Sequence, residues 1–264
     1  MLRSRGFWIS TASTVVFLVV IAVLLLTAPG IHNLHEGLFS VQDMRAALPS
    51  VWDGFKINLK MMAIAEVLVL ICALGVAILR GLPGPAAFPL RVVAIVYTDV
   101  FRGLPTILVA IFIGLGFPSL GLSVISTQSP FTYGVVTLTL VYSAYVAEVY
   151  RAGIESVHQS QTAAARSLGL SYSQTLRFVI LPQAVRRVIP PLVNDFIGLQ
   201  KDTALVFFIG VIEALQAAQD YANVTYNLSG LTVAGLLFIA ITIPFTRLVD
   251  YLVKRDRRRT QAAG

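Results

Sequence analysis

Charged and amide side chains recur inside stretches of this chain that are otherwise lipid-like. The run "NDFIGLQKDT" places Asn194, Asp195, Lys201, Asp202 and Thr203 in one largely apolar segment. An ionised side chain at the centre of a membrane helix costs about 2.5–3.5 kcal/mol on insertion scales. Asp195, Lys201 and Asp202 would together cost up to roughly 8–10 kcal/mol if unpaired and facing lipid. They must therefore face protein or water. Asp195 and Asp202 stand seven residues apart and share a helix face, with Asn194, Gly198 and Lys201 on the adjacent stripe. Two chemistries fit: Lys201 neutralises a neighbouring carboxylate and pins helix packing, or the groups line a passage and contact a charged solute. Asp99 and Arg102, three apart, precede Gly103 and Pro105, which can break a helix. Glu148 and Arg151 repeat the same spacing. Local ion pairing explains both pairs, and a gate or solute site at Arg102 or Glu148 is the sharper alternative.

Catalytic and metal chemistry find little support. There is no G-x-x-x-x-G-K-[ST] phosphate loop, and "GLPGPA" (Gly81 to Ala86) lacks the lysine and reads as a turn. No HExxH motif or nucleophile-and-base constellation is present. His32 and His35 lack a companion Cys or further His cluster, and Cys72 is the only cysteine, so no intrachain disulfide forms. The expectation is a chain with no catalytic residue, metal or bound cofactor of its own.

These charges have to be positioned by membrane helices. Of 264 residues, 56% are hydrophobic and 12% charged, with mean hydropathy +0.79. Soluble domains carry about 25% charged residues, so the composition is that of an integral membrane protein. Six apolar stretches approach or exceed the roughly 20 residues that cross a bilayer as a helix: Phe7–Ala28, Phe55–Leu79, Val92–Phe117, Phe131–Gly153, Val188–Ile212 and Thr232–Val253. The first follows "MLRSR" and precedes "LTAPG", which resembles a signal peptide, but its apolar run is longer than a signal h-region. A retained helix is the expectation.

The net charge of +7 reflects topology rather than nucleic-acid binding. Arg3 and Arg5, Arg80 and Arg91, Arg151, Arg166, Arg177, Arg186 and Arg187, and the tail "KRDRRR" (Lys254 to Arg259) all fall on one side. The loops Pro118–Pro130 and Glu213–Leu231 contain neither Lys nor Arg, and Gly30–Gly54 contains only Arg45. Both termini are thus expected in the cytoplasm.

The long basic loop between spans four and five is unusual. "SQTAAARSL" is rich in helix formers and stops at Gly169, a natural left-handed helix terminator. Ser171 or Ser173 can cap a second helix, "SQTLRFVILPQAVRRV". Ala163, Ala164 and Ala165 make a smooth surface another protein can approach closely, and Leu168 and Leu170 offer apolar anchors. An amphipathic helix lying at the lipid headgroups is the plainer account.

Ala144 to Gln219, with "AYVAEVYRAGIESVHQSQTAAARSLGLSYSQTLRFVILPQAVRRVIPPLVNDFIGLQKDTALV" at its centre, closely resembles the membrane permease subunit of ATP-binding-cassette (ABC) importers of the polar amino-acid branch. "YTDVFRGLPTILVAIFIGLGFP" (Tyr97 to Pro118) resembles that family's other characteristic run. The resemblance implies an all-α membrane protein of about six transmembrane helices, one N-terminal helix plus a five-helix permease core, with a cytoplasmic coupling helix between spans four and five. It implies that Ser160 to Gly169 forms that helix and docks on a separate ATPase subunit. Ala163, Ala164, Ala165, Arg166, Leu168, Gly169, Leu181 and Pro182 are the expected coupling positions. The family's usual glutamate stands at Ala163 here, which leaves Arg166 as the polar contact. Arg102, Glu148, Asn194, Asp195, Lys201, Asp202 and Thr203 are the candidates for the passage and for an amino acid's charged ends.

The expected organisation is residues 1–54 as N-terminal helix and outer loop, 55–253 as permease domain with its coupling loop at about 154–187, and 254–264 as basic tail. Expected partners are an ABC ATP-binding subunit that uses the ATP, an extracytoplasmic solute-binding protein, a second identical or similar permease, and the lipid of a bacterial plasma (inner) membrane. An ion-gradient-driven secondary transporter and a membrane-embedded enzyme are the rival classes.

Overall fold

In the computed structural model the described residues run from 2 to 262; Met1, Ala263 and Gly264 lie outside them, as do the side chains of residues 2–5, 25 and 255–262. The basic tail beyond Lys254 therefore carries no side-chain description. Helix dominates, and no strand occurs among the described residues.

The chain begins with α1 (Leu2–Leu26), α2 (Ile31–Phe39) and α3 (Val41–Gly81). At 1.5 Å per residue α3 is about 60 Å long, twice the hydrocarbon thickness. Only its second half coincides with the expected span Phe55–Leu79. Its first half is helix where a loop was expected, entering through Ser40, whose hydroxyl accepts from Asp43 N at 3.3 Å. Pro49 is accommodated inside it.

The expected third span is broken. Helix α4 (Phe88–Gly103) stops two residues before Pro105, and α5 (Thr106–Ile111) continues through a π turn (Phe112–Gly116) and a 3₁₀ turn (Phe117–Leu120) at 108° to α4. A proline lacks the N–H that would continue the ladder, and its ring pushes the preceding residue out of helical geometry. After the single turn α6 (Ser123–Ser126), α7 (Pro130–Glu155) starts behind a Ser129 cap. Two exposed short elements follow, α8 (Gln159–Ser167) and α9 (Tyr172–Thr175). Helix α9 runs through a π turn (Leu176–Ile180) into α10 (Leu181–Asp202) and a 3₁₀ turn to Ile209. Helices α11 (Ala214–Thr225) and α12 (Ser229–Ala262) complete the chain.

Four helices are long and apolar enough to cross a membrane, and the α4–α5 pair raises the number to five if it counts as one bent span. The segment expected as the fifth span is present as α10 and its 3₁₀ extension, but Arg186, Arg187, Asp195, Lys201 and Asp202 make it too polar to qualify by composition alone.

Helix α7 is the centre of the bundle, with 67% of its apolar window buried, whereas the corresponding window of α1 is entirely exposed. Met61, Ala65, Val69 and Ala73, four residues apart along α3, pack with Leu138, Val141 and Val146 of α7 and with Leu199 of α10. A second cluster joins Ala47, Val51 and Phe55 of α3 to Ala214 and Ala218 of α11 and to Val233 and Ala234 of α12. Its small residues let backbones approach where lipid supplies little hydrophobic drive for association.

Gly54 marks a close backbone-to-backbone approach, where an added Cβ would lie 2.5 Å from the Glu213 carbonyl carbon. Gly54→Ala should therefore separate α3 from α11, costing about 1–3 kcal/mol as overpacking does. Thermal unfolding of the purified chain in nanodiscs measures this, and an unchanged Tm would show that the approach is not tight.

Candidate functional site

Three groups of polar residues stand out. The first lies below the start of α11. Glu213 has no exposed surface, yet it accepts from Leu215 N at 3.0 Å, Gln216 N at 2.9 Å and Asn58 Nδ2 at 2.9 Å. Asn58 also donates to Thr203 Oγ1 at 3.0 Å, and its Oδ1 accepts from Ala214 N at 3.1 Å. Burial pushes the Glu213 carboxyl up, while the two backbone donors and the Asn58 amide pull it back. One carboxylate thus caps α11 and ties it to α3 and to the end of α10. Thr203 belongs to this node rather than to an open passage: it is fully buried and donates to Gln200 O at 2.6 Å.

The second group lies between α7 and α10. Asp195 and Asp202 do share a face of α10, and Tyr142 of α7 meets it. The Tyr142 hydroxyl donates to Asp202 Oδ2 at 3.0 Å and lies 3.0 Å from where a Cβ on Gly198 would stand. Asp195 is half-buried, and its buried Oδ2 has no hydrogen-bond partner among the described residues. Glu66 of α3 and Arg102 of α4 are both within electrostatic reach of Asp195. Arg102 is exposed at the end of α4, with its guanidinium carbon 5.8 Å from the Tyr145 ring centre.

The pairing of Lys201 with a neighbouring carboxylate does not form. Lys201 is exposed and makes no ion pair among the described residues, because its position on α10 points it away from Tyr142 and into a groove of about 620 Å³ lined by Leu215, Phe238 and Thr242. Asn194 is exposed as well. The expected Asp99–Arg102 ion pair is also absent among the described residues.

Glu148 and Arg151 pair as their spacing predicts. Sequence spacing did not reveal the third member: Arg80 of α3 donates to Glu148 Oε2 at 2.9 Å and to Thr98 Oγ1 of α4 at 3.2 Å. Glu148 is thereby committed to holding three helices together. Asn58 and Glu66, like Asp195, are polar residues inside an apolar run, so the rule that singled out Asp195 applies to them equally. Nothing local marks Tyr142 or Arg80.

The third group is the exposed connection after α7. His158 Nδ1 accepts from Ser160 N at 3.2 Å and opens α8. The helix closes with Gly169 at φ 83°, Leu170 N donating to Ala165 O at 3.2 Å and Gly169 N to Arg166 O at 3.0 Å. A left-handed glycine with this pair of bonds ends a helix sharply. Ser171, rather than Ser173, caps α9: its hydroxyl accepts from Gln174 N at 3.3 Å, and Ser171 N donates to Gln174 Oε1 at 2.9 Å. Along α8 only Ala165 is buried; Ala163, Ala164 and Arg166 are exposed, and Leu168 beyond it is 83% exposed. Leu181 and Pro182 open α10, also exposed, just after the π turn, which places the missing proline N–H where the ladder is already interrupted.

Residues 85–258 match the family described as the binding-protein-dependent transport system inner membrane component. The chain is 34% identical over 198 residues to the probable glutamine ABC transporter permease protein GlnP of Bacillus subtilis, an alignment covering 74% of this chain and 88% of that protein. It is 32% identical over 213 residues to the glutamine transport system permease protein GlnP of Escherichia coli, covering 81% and 94% respectively. Among solved structures, the crystal structure of an amino acid ABC transporter with histidines matches with a TM-score of 0.72 and 31% identity, over 78% of this chain and 94% of that one.

The two sides of α10 should respond differently to substitution. Thr203→Val removes the acceptor of a buried Asn58 amide and should cost about 1–3 kcal/mol. Lys201→Ala, at an exposed position, should stay within about 0.5 kcal/mol. Melting of both variants in nanodiscs tests the assignment; equal losses would contradict it.

Proposed function

This chain belongs to the binding-protein-dependent transport inner-membrane component family and is a multi-pass ABC-importer permease of the polar amino-acid branch; we propose that it carries a polar or charged amino acid into the cytoplasm using ATP hydrolysed by a separate subunit. The observation that carries this reading is α8: a short, doubly capped and exposed helix projecting from the end of the most buried helix in the bundle. Lipid gains little from a surface of Ala163, Ala164 and Arg166, whereas a protein groove can close around it. Exposed Leu168 supplies an apolar anchor beside it.

In this reading both termini and α8 lie in the cytoplasm, as the distribution of Lys and Arg requires. Helix α8, with Leu168, Gly169, Leu181 and Pro182, docks on the ABC ATP-binding subunit. The six expected spans comprise α1, the inner half of α3, the bent α4–α5 pair, α7, α10 and α12. Exposed Arg102, Asn194 and Lys201 cannot face hydrocarbon cheaply, so they look into water or onto another chain. This supports a passage completed by a second permease, identical or similar, with solute delivered from outside by a binding protein. Asp195, with its unpartnered oxygen, and neighbouring Glu66 and Asp202 suit the ammonium end or a cationic side chain of the solute, and Arg102 its carboxylate. The chain itself binds no cofactor in this scheme. ATP-driven closure of the partner subunit moves α8 and alternates access to the passage.

Uptake of labelled amino acids into proteoliposomes, with the ATPase and binding protein added in turn, tests the proposal. Uptake is expected only with all components and ATP. Uptake by the chain alone under an ion gradient would replace it with a secondary transporter. Within the active complex, Leu168→Asp should abolish ATP-dependent uptake while leaving nanodisc melting within about 0.5 kcal/mol, as an exposed substitution does.

A further inference from the structure

Helix α8 has little grip of its own on the bundle, since Ala165 is its only buried residue. Any displacement of α8 must enter the membrane helices through their ends, and the inner end of α7 lies only three residues before it. That end is bolted on two sides.

On one side, Glu148 accepts from Arg80 of α3, which also holds Thr98 of α4. Among the described residues this is the one ion pair that joins two helices; the others link residues three or four apart on a single helix. Its side chains are 18% and 21% exposed, so water screens it less than the surface pairs. Arg151 then bridges Glu148 to Glu155, extending the ladder along α7 toward α8. On the other side, Arg187 of α10 donates to the Ser156 carbonyl, just beyond the end of α7. One turn earlier, Gly153 lets Val188 of α10 press directly on the α7 backbone: an added Cβ would come within 2.1 Å of Val188 Cγ1.

We propose that Arg80 and Arg187 are positioning residues for transport, carrying the movement of α8 from α7 into α3 and α4 through Glu148 and into α10 through Ser156. The inference rests on the reading of α8 as the element moved by the ATPase. The clamp makes α7 shift with its neighbours as one body, so the passage lined by α10 and α4 responds to events at α8. Without it, ATP is hydrolysed while the passage moves less.

The test measures uptake and ATP hydrolysis together in proteoliposomes holding the full complex, with membrane abundance determined in parallel. Arg80→Gln and Glu148→Gln should each lower uptake per ATP by about fivefold or more, the lower end for coupling between sites, while hydrolysis continues. The double variant should be no worse than either single one, since both remove the same link. Arg80→Lys should recover part of the ratio through its charge. Arg187→Gln should lower the ratio independently, adding to the Arg80 effect. Uptake and hydrolysis falling together in proportion to abundance would overturn the proposal and leave the pair with a stabilising role alone. A wild-type complex that shows no ATP-dependent uptake would instead overturn the importer reading, and this inference with it.

Discussion

Glu213 is a carboxylate with no contact with solvent, and such a group is stable only where donors replace the water it has lost. Two backbone N–H groups of α11 and the amide of Asn58 do so. This requirement determines how the half of the molecule around α11 is built. Helix α11 must start where Asn58 can reach its first turn, α3 must extend far enough to present Gly54 beneath the Glu213 backbone, and the chain leaving α10 must bring Thr203 to the other side of the same amide. The small residues of the second core cluster follow from this, because only alanines and glycines permit helices to meet so closely.

The half around the end of α7 obeys the same rule with charges in place of amides. Glu148 lies between Arg80 and Arg151, and the helices that carry these residues converge on the end of α7. Between the two nodes the polar groups are less completely satisfied. Among the described residues, Asp195 retains an unpartnered oxygen, and Lys201 and Arg102 face outward without an ion pair. Carboxylates fully partnered at the two nodes and incompletely partnered between them are the pattern expected of a bundle whose ends hold it together and whose middle meets something else.

The break between α4 and α5 and the π turn before Pro182 interrupt helices at prolines, where the hydrogen-bond ladder has already lost a donor. Helix α8, by contrast, is defined by its ends. A histidine and a serine hydroxyl begin the two short helices of the connection, and a left-handed glycine separates them, so a nine-residue helix keeps a definite orientation outside the bundle. That geometry suits an element that receives force from a partner.

The sequence alone determined the class of the molecule, because a chain so apolar, with its basic residues gathered at alternate loops, has few stable alternatives to a helical membrane bundle. It also determined that a short helix in the basic connection ends at Gly169, and the shared face of Asp195 and Asp202, since helix termination and periodicity are local; the His158 cap and the choice of Ser171 over Ser173 came from the structure. It did not reveal that α3 begins at Val41, because Pro49 and a polar first segment resemble a loop until α11 and α12 pack against them. Only the tertiary structure decided which partners the charges take. Arg80 lies 68 residues from Glu148, Asn58 lies 155 from Glu213, and Tyr142 lies 60 from Asp202. Lys201 stands beside Asp202 in sequence yet points away from it in space. Neighbours on a helix diverge by about 100° per residue, so the partner of a membrane charge is set by which helix faces it, and that is a property of packing.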